Sequence, residues 1–220
     1  MEAVLKVGGS LAENVGTVKA LCQQLGALAK THRIVVVPGG GEFADTVRRF
    51  DKKYGLSNSV AHKMAILAMD MYGLFLSDIS VNSYVFDDLN QINHEKGKLP
   101  ILLPSKLMFQ DDTLENSWDV TSDSIAAYIA GLLDAKKLVL VTDVDGIFSD
   151  NPKHNLEAKL VKEISAQELL GWNTRTSVDK MLPKIVLENR LDSYVVNGKH
   201  PERIQAVLEN KKTVCTHVTV

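Results

Sequence analysis

Short, unbroken apolar runs alternate along the chain with longer segments in which apolar residues recur at helical spacing. The first run covers residues 3–7 and the second covers residues 34–37. Runs without polar residues are typical of strands that are buried on both faces. The order of strand, helix and strand therefore predicts a parallel sheet covered by helices on both sides. The helix between the two runs is predicted at about residues 15–30 from the spacing of Val18, Leu21, Cys22, Leu25 and Leu28.

The rest of the chain continues this alternation. Further strands are predicted at residues 84–86, 101–103, 137–141, 193–196 and 214–220. Helices are predicted at about residues 42–50, 57–78, 125–131, 165–170 and 201–208, and another opens at residues 177–184. In the longest helix an apolar stripe is expected to belong to the core, and it consists of Val60, Met64, Leu67 and Met71.

Two glycine-rich turns follow the first two predicted strands, and each turn opens a predicted helix. Glycine lets the backbone approach a ligand closely, and a helix N-terminus adds partial positive charge, so the combination suits phosphate. A single pair of glycines is more often only a turn, but the second copy favours two anion sites, one for each of two phosphate-bearing ligands. The first turn contains Lys6, Gly8, Gly9 and Ser10, and the second contains Gly39, Gly40 and Gly41.

Composition narrows the class of protein. The 220 residues carry a net charge of -2, with 45% hydrophobic and 24% charged residues, which is ordinary for one large domain or one domain with a small lobe. No basic stripe indicates a nucleic-acid partner, and no apolar run reaches membrane length. Met1 opens directly into the first strand without a signal peptide, and Cys22 and Cys215 are interpreted as reduced thiols, so a cytoplasmic protein is expected.

Charged and polar residues collect near the predicted helix starts. Asp45 and Arg48 lie three residues apart after the second glycine turn, where they form either a surface ion pair or part of an acceptor site. His62 and Asp70 lie on or beside the stripe of the longest helix, and a structural role for the histidine is the simpler interpretation. Asp123 opens a helix of small residues, and capping explains only part of the aspartates and hydroxyls gathered there.

The residues present favour phosphoryl transfer over other chemistries. The chain lacks a Ser-His-Asp set that we can place, Cys/His zinc spacing and the G-x-x-x-x-G-K-S/T phosphate loop. Residues 143–146 could suggest a calcium loop, but the EF-hand spacing fails. Phosphoryl transfer requires positioning and cations around the transferred group, which Lys6 and Lys184 could supply if Asp123 pairs with both lysines. An acceptor oxygen that is already ionised would need no general base.

Nearly the whole chain resembles the amino acid kinase superfamily, because several motifs occur in that family's order. The glycine turns resemble its two phosphate loops, and Asp123 lies in a segment similar to the one whose aspartate organises the catalytic lysines. Residues 142–153 resemble the nucleotide-binding segment, and residues 181–184 resemble the segment with the second phosphate-contacting lysine. The resemblance implies a three-layer α/β/α sandwich around a largely parallel sheet. It also implies ATP as donor, with Mg²⁺ bound mainly through the ATP phosphates.

The resemblance further implies roles for individual residues of a single domain. About residues 1–135 would bind the acceptor, and about residues 136–220 would bind the nucleotide. The expected catalytic residues are Lys6, Asp123 and Lys184. The expected nucleotide- and phosphate-binding residues are Gly8, Gly9, Ser10, Thr142, Asp143, Asp145, Gly146, Phe148, Asp150, Lys153 and Lys180. The expected acceptor-binding residues are Gly39, Gly40, Gly41, Asp45, Arg48, His62, Asp70 and Thr121.

Within the family, four segments resemble the small kinases of methanofuran biosynthesis: residues 43–48, 54–57, 61–70 and 196–203. The resemblance to that group implies that the acceptor is (5-(aminomethyl)furan-3-yl)methyl phosphate and that the product is its diphosphate. Charge matching then puts Asp45 or Asp70 at the amine and Arg48 at the phosphate. Kinases of the same fold that act on UMP, isopentenyl phosphate or a carboxylate remain alternatives, although Ala61 precedes His62 where uridylate kinases have an aspartate.

A protein of another class is a further alternative, namely a nucleotide- or oxoanion-binding storage protein without turnover. The presence of Lys6, Asp123 and Lys184 argues against it. The resemblance also implies a homodimer or larger homo-oligomer, formed through the long helix at residues 57–78.

Overall fold

One mainly parallel sheet organises the part of the chain that the structure describes. The computed structural model describes residues 1–92, 97–111, 113–150, 152, 154–172 and 176–220. Its strands are β1 (Ala3–Val7), β2 (Ile34–Pro38), β3 (Ser83–Phe86), β4 (Leu99–Leu102), β5 (Lys137–Thr142), β6 (Ile147–Phe148), β7 (Leu160–Val161), β8 (Glu163–Ser165), β9 (Asp192–Asn197) and β10 (Thr216–Thr219). Eight of them form a sheet in the order β3-β4-β2-β1-β5-β9-β10-β8, and β6 and β7 form a hairpin. Neighbours from β3 to β9 are parallel, whereas β10 is antiparallel to β9.

Helices cover both faces of this sheet. They are α1 (Val15–Leu28), α2 (Gly41–Tyr54), α3 (Asn58–Ile79), α4 (Ser105–Gln110), α5 (Ser122–Leu132), α6 (Ala166–Gly171), α7 (Leu182–Asn189) and α8 (Glu202–Leu208), with 3-10 turns at Gly9–Glu13 and Leu89–Gln91. Alternate residues of β1 enter different cores: Leu5 packs with α1 and α8, and Val4 packs with α5 and α7. The three-layer α/β/α architecture predicted from the sequence is therefore confirmed.

Small residues let α5 lie close to the sheet. Ala126, Ala127 and Ala130 have no exposed surface. Ser57 caps the start of α3, because its Oγ accepts a hydrogen bond from Val60 N–H at 3.4 Å. None of the helices among the described residues combines the length and the apolarity needed to cross a membrane.

The apolar stripe predicted for the core face of α3 is wrong. Val60, Leu67 and Met71 are 47%, 45% and 50% exposed. The residues of α3 that are buried lie on another face and include Ile66 and Tyr72. Since α3 is apolar around most of its circumference, helical periodicity alone cannot tell which of its apolar faces meets the sheet.

Several short elements were not predicted from the sequence. These are α4, the hairpin of β6 and β7, and β8. Strands of two or three residues are too short to show an alternating pattern, and α4 has only six residues. The positions of these short elements depend on the neighbouring strands and helices that they contact.

Candidate active site

The two glycine turns meet at one edge of the sheet, because β1 and β2 are parallel neighbours whose carboxyl ends lie side by side. A Cβ on Gly9 would lie 2.1 Å from Gly41 Cα, so only a residue without a side chain fits there. Gly41 has a φ of +52°, which also favours glycine. Gly8 N–H donates to Val141 O at 2.8 Å and ties the first turn to β5. The two predicted anion turns thus form one continuous backbone surface.

A cavity of about 250 Å³ lies against this surface. The predicted site residues that line it are Lys6, Gly8, Gly9, Ser10, Gly40, Gly41, Asp45, Arg48, His62, Thr121, Asp123 and Thr142. The predicted residues that do not line it are Gly39, Asp70, Asp143, Asp145, Gly146, Phe148, Asp150, Lys180 and Lys184. Lys153 lies outside the described residues. The structure therefore brings the first glycine turn together with most of the predicted acceptor residues.

A buried ion pair lies in the lining of this cavity. Asp123 Oδ1 is 2.7 Å from Lys6 Nζ, and the two side chains are only 7% and 11% exposed. Asp123 lies in the first turn of α5, where the helix dipole favours a carboxylate. Removing one partner of such a buried pair typically costs about 3–5 kcal/mol, because the other charge is left without compensation. The pairing of Lys6 with Asp123 that the sequence suggested is formed.

Lys184 does not join this pair, contrary to the expectation that Asp123 holds both lysines. Lys184 Nζ lies 3.9 Å from Glu188 Oε1, one turn further along α7, and the lysine side chain is 54% exposed. The second oxygen of Asp123 accepts a backbone N–H instead. The sequence shows which residues are charged, but the rotation of α7 about its axis decides where Lys184 points.

Asp179 is a residue of the site region whose role was missed from the sequence. It is 2% exposed and accepts five hydrogen bonds, from the backbone and hydroxyl of Thr121, the backbone and hydroxyl of Ser124, and Leu182 N–H. Its own N–H donates to Asp123 Oδ2 at 3.2 Å. Burial and the charge of Asp123 raise its pKa above the ordinary value, and the hydrogen bonds oppose this shift. Asp179 thus joins the first turns of α5 and α7.

Asp70 forms hydrogen bonds outside the cavity, and these contacts do not support the expectation that it binds the acceptor. Its carboxylate accepts hydrogen bonds from Ser105 N–H at 3.1 Å and from Ser105 Oγ. Burial raises the pKa of Asp70, and the hydrogen bonds from Ser105 counteract part of that shift. Because Ser105 begins α4, Asp70 satisfies one backbone donor at the start of this helix.

One face of α2 holds a charged and aromatic cluster at the cavity. Arg48 Nη1 lies 2.6 Å from Asp45 Oδ1, which forms the ion pair that the sequence left as one of two interpretations. Arg48 Cζ also lies 4.8 Å from the centre of the Trp118 ring, and Trp118 Nε1–H donates to Asp51 Oδ2 at 2.8 Å. Trp118 and Asp51 were not among the predicted site residues. Trp118 could have been found from the sequence, because it is a rare tryptophan in an otherwise polar segment.

His62 lies between the main cavity and a smaller one. It is 8% exposed, and it lines both the main cavity and a second cavity of about 100 Å³. Lys63, Phe109 and Asp111 also line the smaller cavity. The burial of His62 agrees with the structural role that the sequence favours, and its place in the cavity lining agrees with a role near the acceptor.

The predicted nucleotide segment follows β5. Asp145 accepts a hydrogen bond from Asn197 Nδ2 at 3.0 Å and pairs with Arg203 Nη1 at 2.5 Å. Burial alone would raise the pKa of Asp145, but the Asn197 hydrogen bond and the Arg203 guanidinium outweigh it and hold the pKa below its ordinary value. Asp145 is therefore held as a carboxylate that joins β5, β9 and α8.

The other residues of this segment lie in and around the hairpin of β6 and β7. A Cβ on Gly146 would meet Thr216 Oγ1 at 2.4 Å, so the backbone there approaches β10 closely. Phe148 pairs with Leu160 across the hairpin. The remaining polar residues have nearby partners: Asp143 with Thr142, Asp150 with Asn155 and Lys180 with Asp119. Among the residues that the structure describes, no group of three or more His, Cys, Asp or Glu side chains is arranged to hold a metal ion.

Comparison with known proteins decides the family. A model of the amino acid kinase family matches residues 1–215. The chain belongs to the amino acid kinase family. One relative, the (5-(aminomethyl)furan-3-yl)methyl phosphate kinase of Methanocaldococcus jannaschii, is 41% identical over 98% of this chain and 96% of its own length. A uridylate kinase of Methanococcoides burtonii is 26% identical over 100% of this chain and 96% of its own length.

The fold of this chain is shared with solved structures. The uridylate kinase of Archaeoglobus fulgidus superposes with a TM-score of 0.78 at 21% identity, and the match covers 100% of both chains. At this level of identity the likeness concerns the fold. Because the relatives in the family are kinases, membership implies a phosphotransferase with ATP as phosphoryl donor.

Proposed function

We propose that this chain transfers the γ-phosphoryl group of ATP to (5-(aminomethyl)furan-3-yl)methyl phosphate and forms the diphosphate. The observation that carries the proposal is the contact of the two glycine turns beside Lys6, because adjacent backbone sites suit a donor phosphate and an acceptor phosphate. The 41% identity to the M. jannaschii kinase of that name favours this acceptor over UMP or isopentenyl phosphate.

The proposed mechanism is positioning together with charge neutralisation. Lys6, oriented by Asp123, would contact the oxygens of the transferred group, where negative charge must be balanced in the transition state. The acceptor is a phosphate ester whose second pKa is about 6, so its attacking oxygen is ionised at neutral pH and no general base is needed. Mg²⁺ bound through the ATP phosphates would supply further charge neutralisation.

The two ends of the acceptor require different partners. Arg48 lines the cavity and is 39% exposed, so its guanidinium can reach a phosphate oxygen. Asp45 lines the cavity beside it and is our candidate for the acceptor amine, since Asp70 is bound to Ser105. We assign acceptor binding to about residues 1–135 and nucleotide binding to about residues 136–220. A cytoplasmic location stays a prediction.

An acceptor screen tests this function. The purified protein is incubated with ATP and Mg²⁺, and ADP is followed with the aminomethylfuran phosphate, UMP, isopentenyl phosphate and acetylglutamate in parallel. We expect turnover with the furan phosphate. In K6M, kcat should fall by about 10²–10³-fold, as for loss of one preorganised donor, whereas K19M on the exposed side of α1 should retain activity. Turnover with another acceptor only would overturn the proposed substrate, and tight ATP binding without any turnover would favour the storage protein.

We also propose that the chain forms a homodimer through the exposed stripe of α3. The stripe consists of Val60, Leu67, Met71 and Leu74, which are 45–53% exposed. Contiguous exposed apolar surface of this kind marks interaction sites, and a self-complementary patch gives a two-fold dimer. Sedimentation of L67E should show a monomer, and V15E, which adds the same charge at an exposed apolar position of α1, should remain dimeric. An unchanged mass for L67E would contradict this interface.

A further inference from the structure

The cavity has an apolar wall that the phosphate chemistry does not require. Besides the glycine turns and Lys6, the lining includes the apolar residues Ala65, Ile66, Met69, Val120 and Trp118. Phosphate groups need donors and positive charge, so an apolar wall indicates that the acceptor also carries an apolar part. Trp118 is the residue of this wall with the largest flat surface.

Contacts with α2 fix the orientation of Trp118. Its Nε1–H donates to Asp51 Oδ2 at 2.8 Å, and Arg48 Cζ lies 4.8 Å from the centre of its ring. Asp51 and Arg48 lie three residues apart on one face of α2. Trp118 itself comes from the irregular segment before α5, so its orientation depends on these side-chain contacts. The indole is thus held at the cavity by one hydrogen bond and one cation–π contact.

The same arginine connects the indole to the charged end of the site. Arg48 Cζ lies over the Trp118 ring and Arg48 Nη1 pairs with Asp45, and both Arg48 and Trp118 line the cavity. A ligand whose phosphate reaches the guanidinium therefore has its next few atoms beside the indole. A flat ring is the group that gains most from such a surface, because two π-systems can stack face to face with an offset.

We propose that Trp118 determines acceptor specificity by stacking on a planar ring of the acceptor, while Arg48 holds the phosphate of the same molecule. This inference rests on the proposed transfer to a phosphate-bearing acceptor. It assigns the acceptor to a chemical class, the phosphate esters of small planar rings, and it distinguishes them from aliphatic phosphates. Asp51 acts as a positioning residue through its hydrogen bond to the indole.

Replacement of Trp118 by an aromatic and by an aliphatic residue tests the stacking directly. In W118L the KM for the aminomethylfuran phosphate should rise by about tenfold or more, which is the range seen when aromatic stacking partners of bases are removed. W118F keeps a planar ring but loses the hydrogen bond from Nε1–H to Asp51, so its KM should rise less than that of W118L, by about threefold over wild type. The KM for ATP should be the same in all three proteins. Equal acceptor KM values for W118L and W118F would overturn the proposal, because simple apolar packing would then suffice.

Fluorescence gives a second readout that does not depend on turnover. The chain has two tryptophans, so W172F leaves Trp118 as the sole indole. Addition of the furan phosphate to W172F should change its emission, whereas inorganic phosphate at the same concentration should change it much less. Absence of any change at a furan phosphate concentration that saturates the enzyme would overturn the stacking.

The acceptor screen separates failure of this inference from failure of the proposed function. If the wild type uses UMP instead of the furan phosphate, the proposed substrate is wrong, and the W118L and W118F comparison with UMP decides the inference. If only isopentenyl phosphate is used, the inference is overturned, since that acceptor has no ring. If no acceptor is turned over, the emission of W172F is measured with the furan phosphate and with UMP. An unchanged emission with both compounds would overturn the proposed stacking on Trp118.

Discussion

Replacement of Asp123 by Asn tests whether the buried ion pair stabilises the site. The change keeps the shape of the side chain and leaves Lys6 beside a neutral amide. For unit charges 2.7 Å apart, Coulomb's law with an effective dielectric constant of about 20 gives an attraction of about 6 kcal/mol before desolvation reduces it. Loss of one partner of a buried pair is accordingly expected to cost about 3–5 kcal/mol. In a chain of this size that corresponds to a fall in Tm of about 6–20 °C.

A double-mutant cycle isolates the interaction between the two charges. K6M and D123N should each lower the free energy of unfolding, but the double variant should lose less than the sum, by at least about 1 kcal/mol, because it contains no unpaired buried charge. Urea unfolding followed by circular dichroism measures all four proteins. E188Q provides the matched control, since it neutralises the partner of Lys184 in an exposed pair and should change stability by less than about 0.5 kcal/mol.

Two results would refute this reasoning. Additive losses in the cycle would mean that the charges do not interact, whatever their distance. A Tm for D123N within about 2 °C of wild type would mean that another group holds Lys6, because the expected loss is several times larger. The kcat of D123N is measured separately from its stability. If D123N is as stable as wild type but its kcat is reduced about 10²-fold or more, the pair of Lys6 and Asp123 serves catalysis alone.

Other parts of the molecule give predictions of their own. G9A should lose activity because its Cβ would lie 2.1 Å from neighbouring backbone, whereas G171A, whose Cβ meets nothing within 4 Å, should keep activity and gain up to about 1 kcal/mol of stability in thermal unfolding. D70N should leave the acceptor KM unchanged and lower the free energy of unfolding by about 1–3 kcal/mol, since Ser105 loses a charged acceptor; a raised KM would return Asp70 to the acceptor site. Burial and the nearby carboxylate raise the pKa of Tyr194 from 10.0 to about 12, so folding favours the protonated phenol. The stability that wild type has over Y194F should be present below pH 10 and disappear as the pH rises towards 12, and a difference that grows with pH would contradict this sign.

The features that the sequence revealed are those specified by neighbouring residues. β1 and β2 follow from unbroken apolar runs, and the glycine turns follow directly after them. The pairing of Lys6 with Asp123 could be anticipated because a cation at the end of a strand and an acid at the start of a helix meet at the same edge of a parallel sheet.

The features that the sequence did not reveal depend on how a helix is rotated about its axis or on which groups, distant along the chain, lie close together in the fold. Lys184 has a local partner in Glu188, which nothing in the motif indicates. Asp179 lies between Val178 and Lys180, and nothing in that segment indicates its role; only the fold brings the first turns of α5 and α7 to it. The exposed face of α3 was misassigned for the same reason, because two apolar faces compete and only the tertiary structure selects one.

The contact between Gly9 and Gly41 bears on how such a protein can change over evolutionary time. Backbone meets backbone there, so no exchange of side-chain rotamers can absorb a displacement, and the relative position of the two turns is fixed. Other parts of the cavity wall are side chains of α2 and α3 and the indole of Trp118, which can be exchanged one at a time. Descendants of this chain can therefore acquire a new acceptor through substitutions in those walls while the transfer geometry is inherited unchanged.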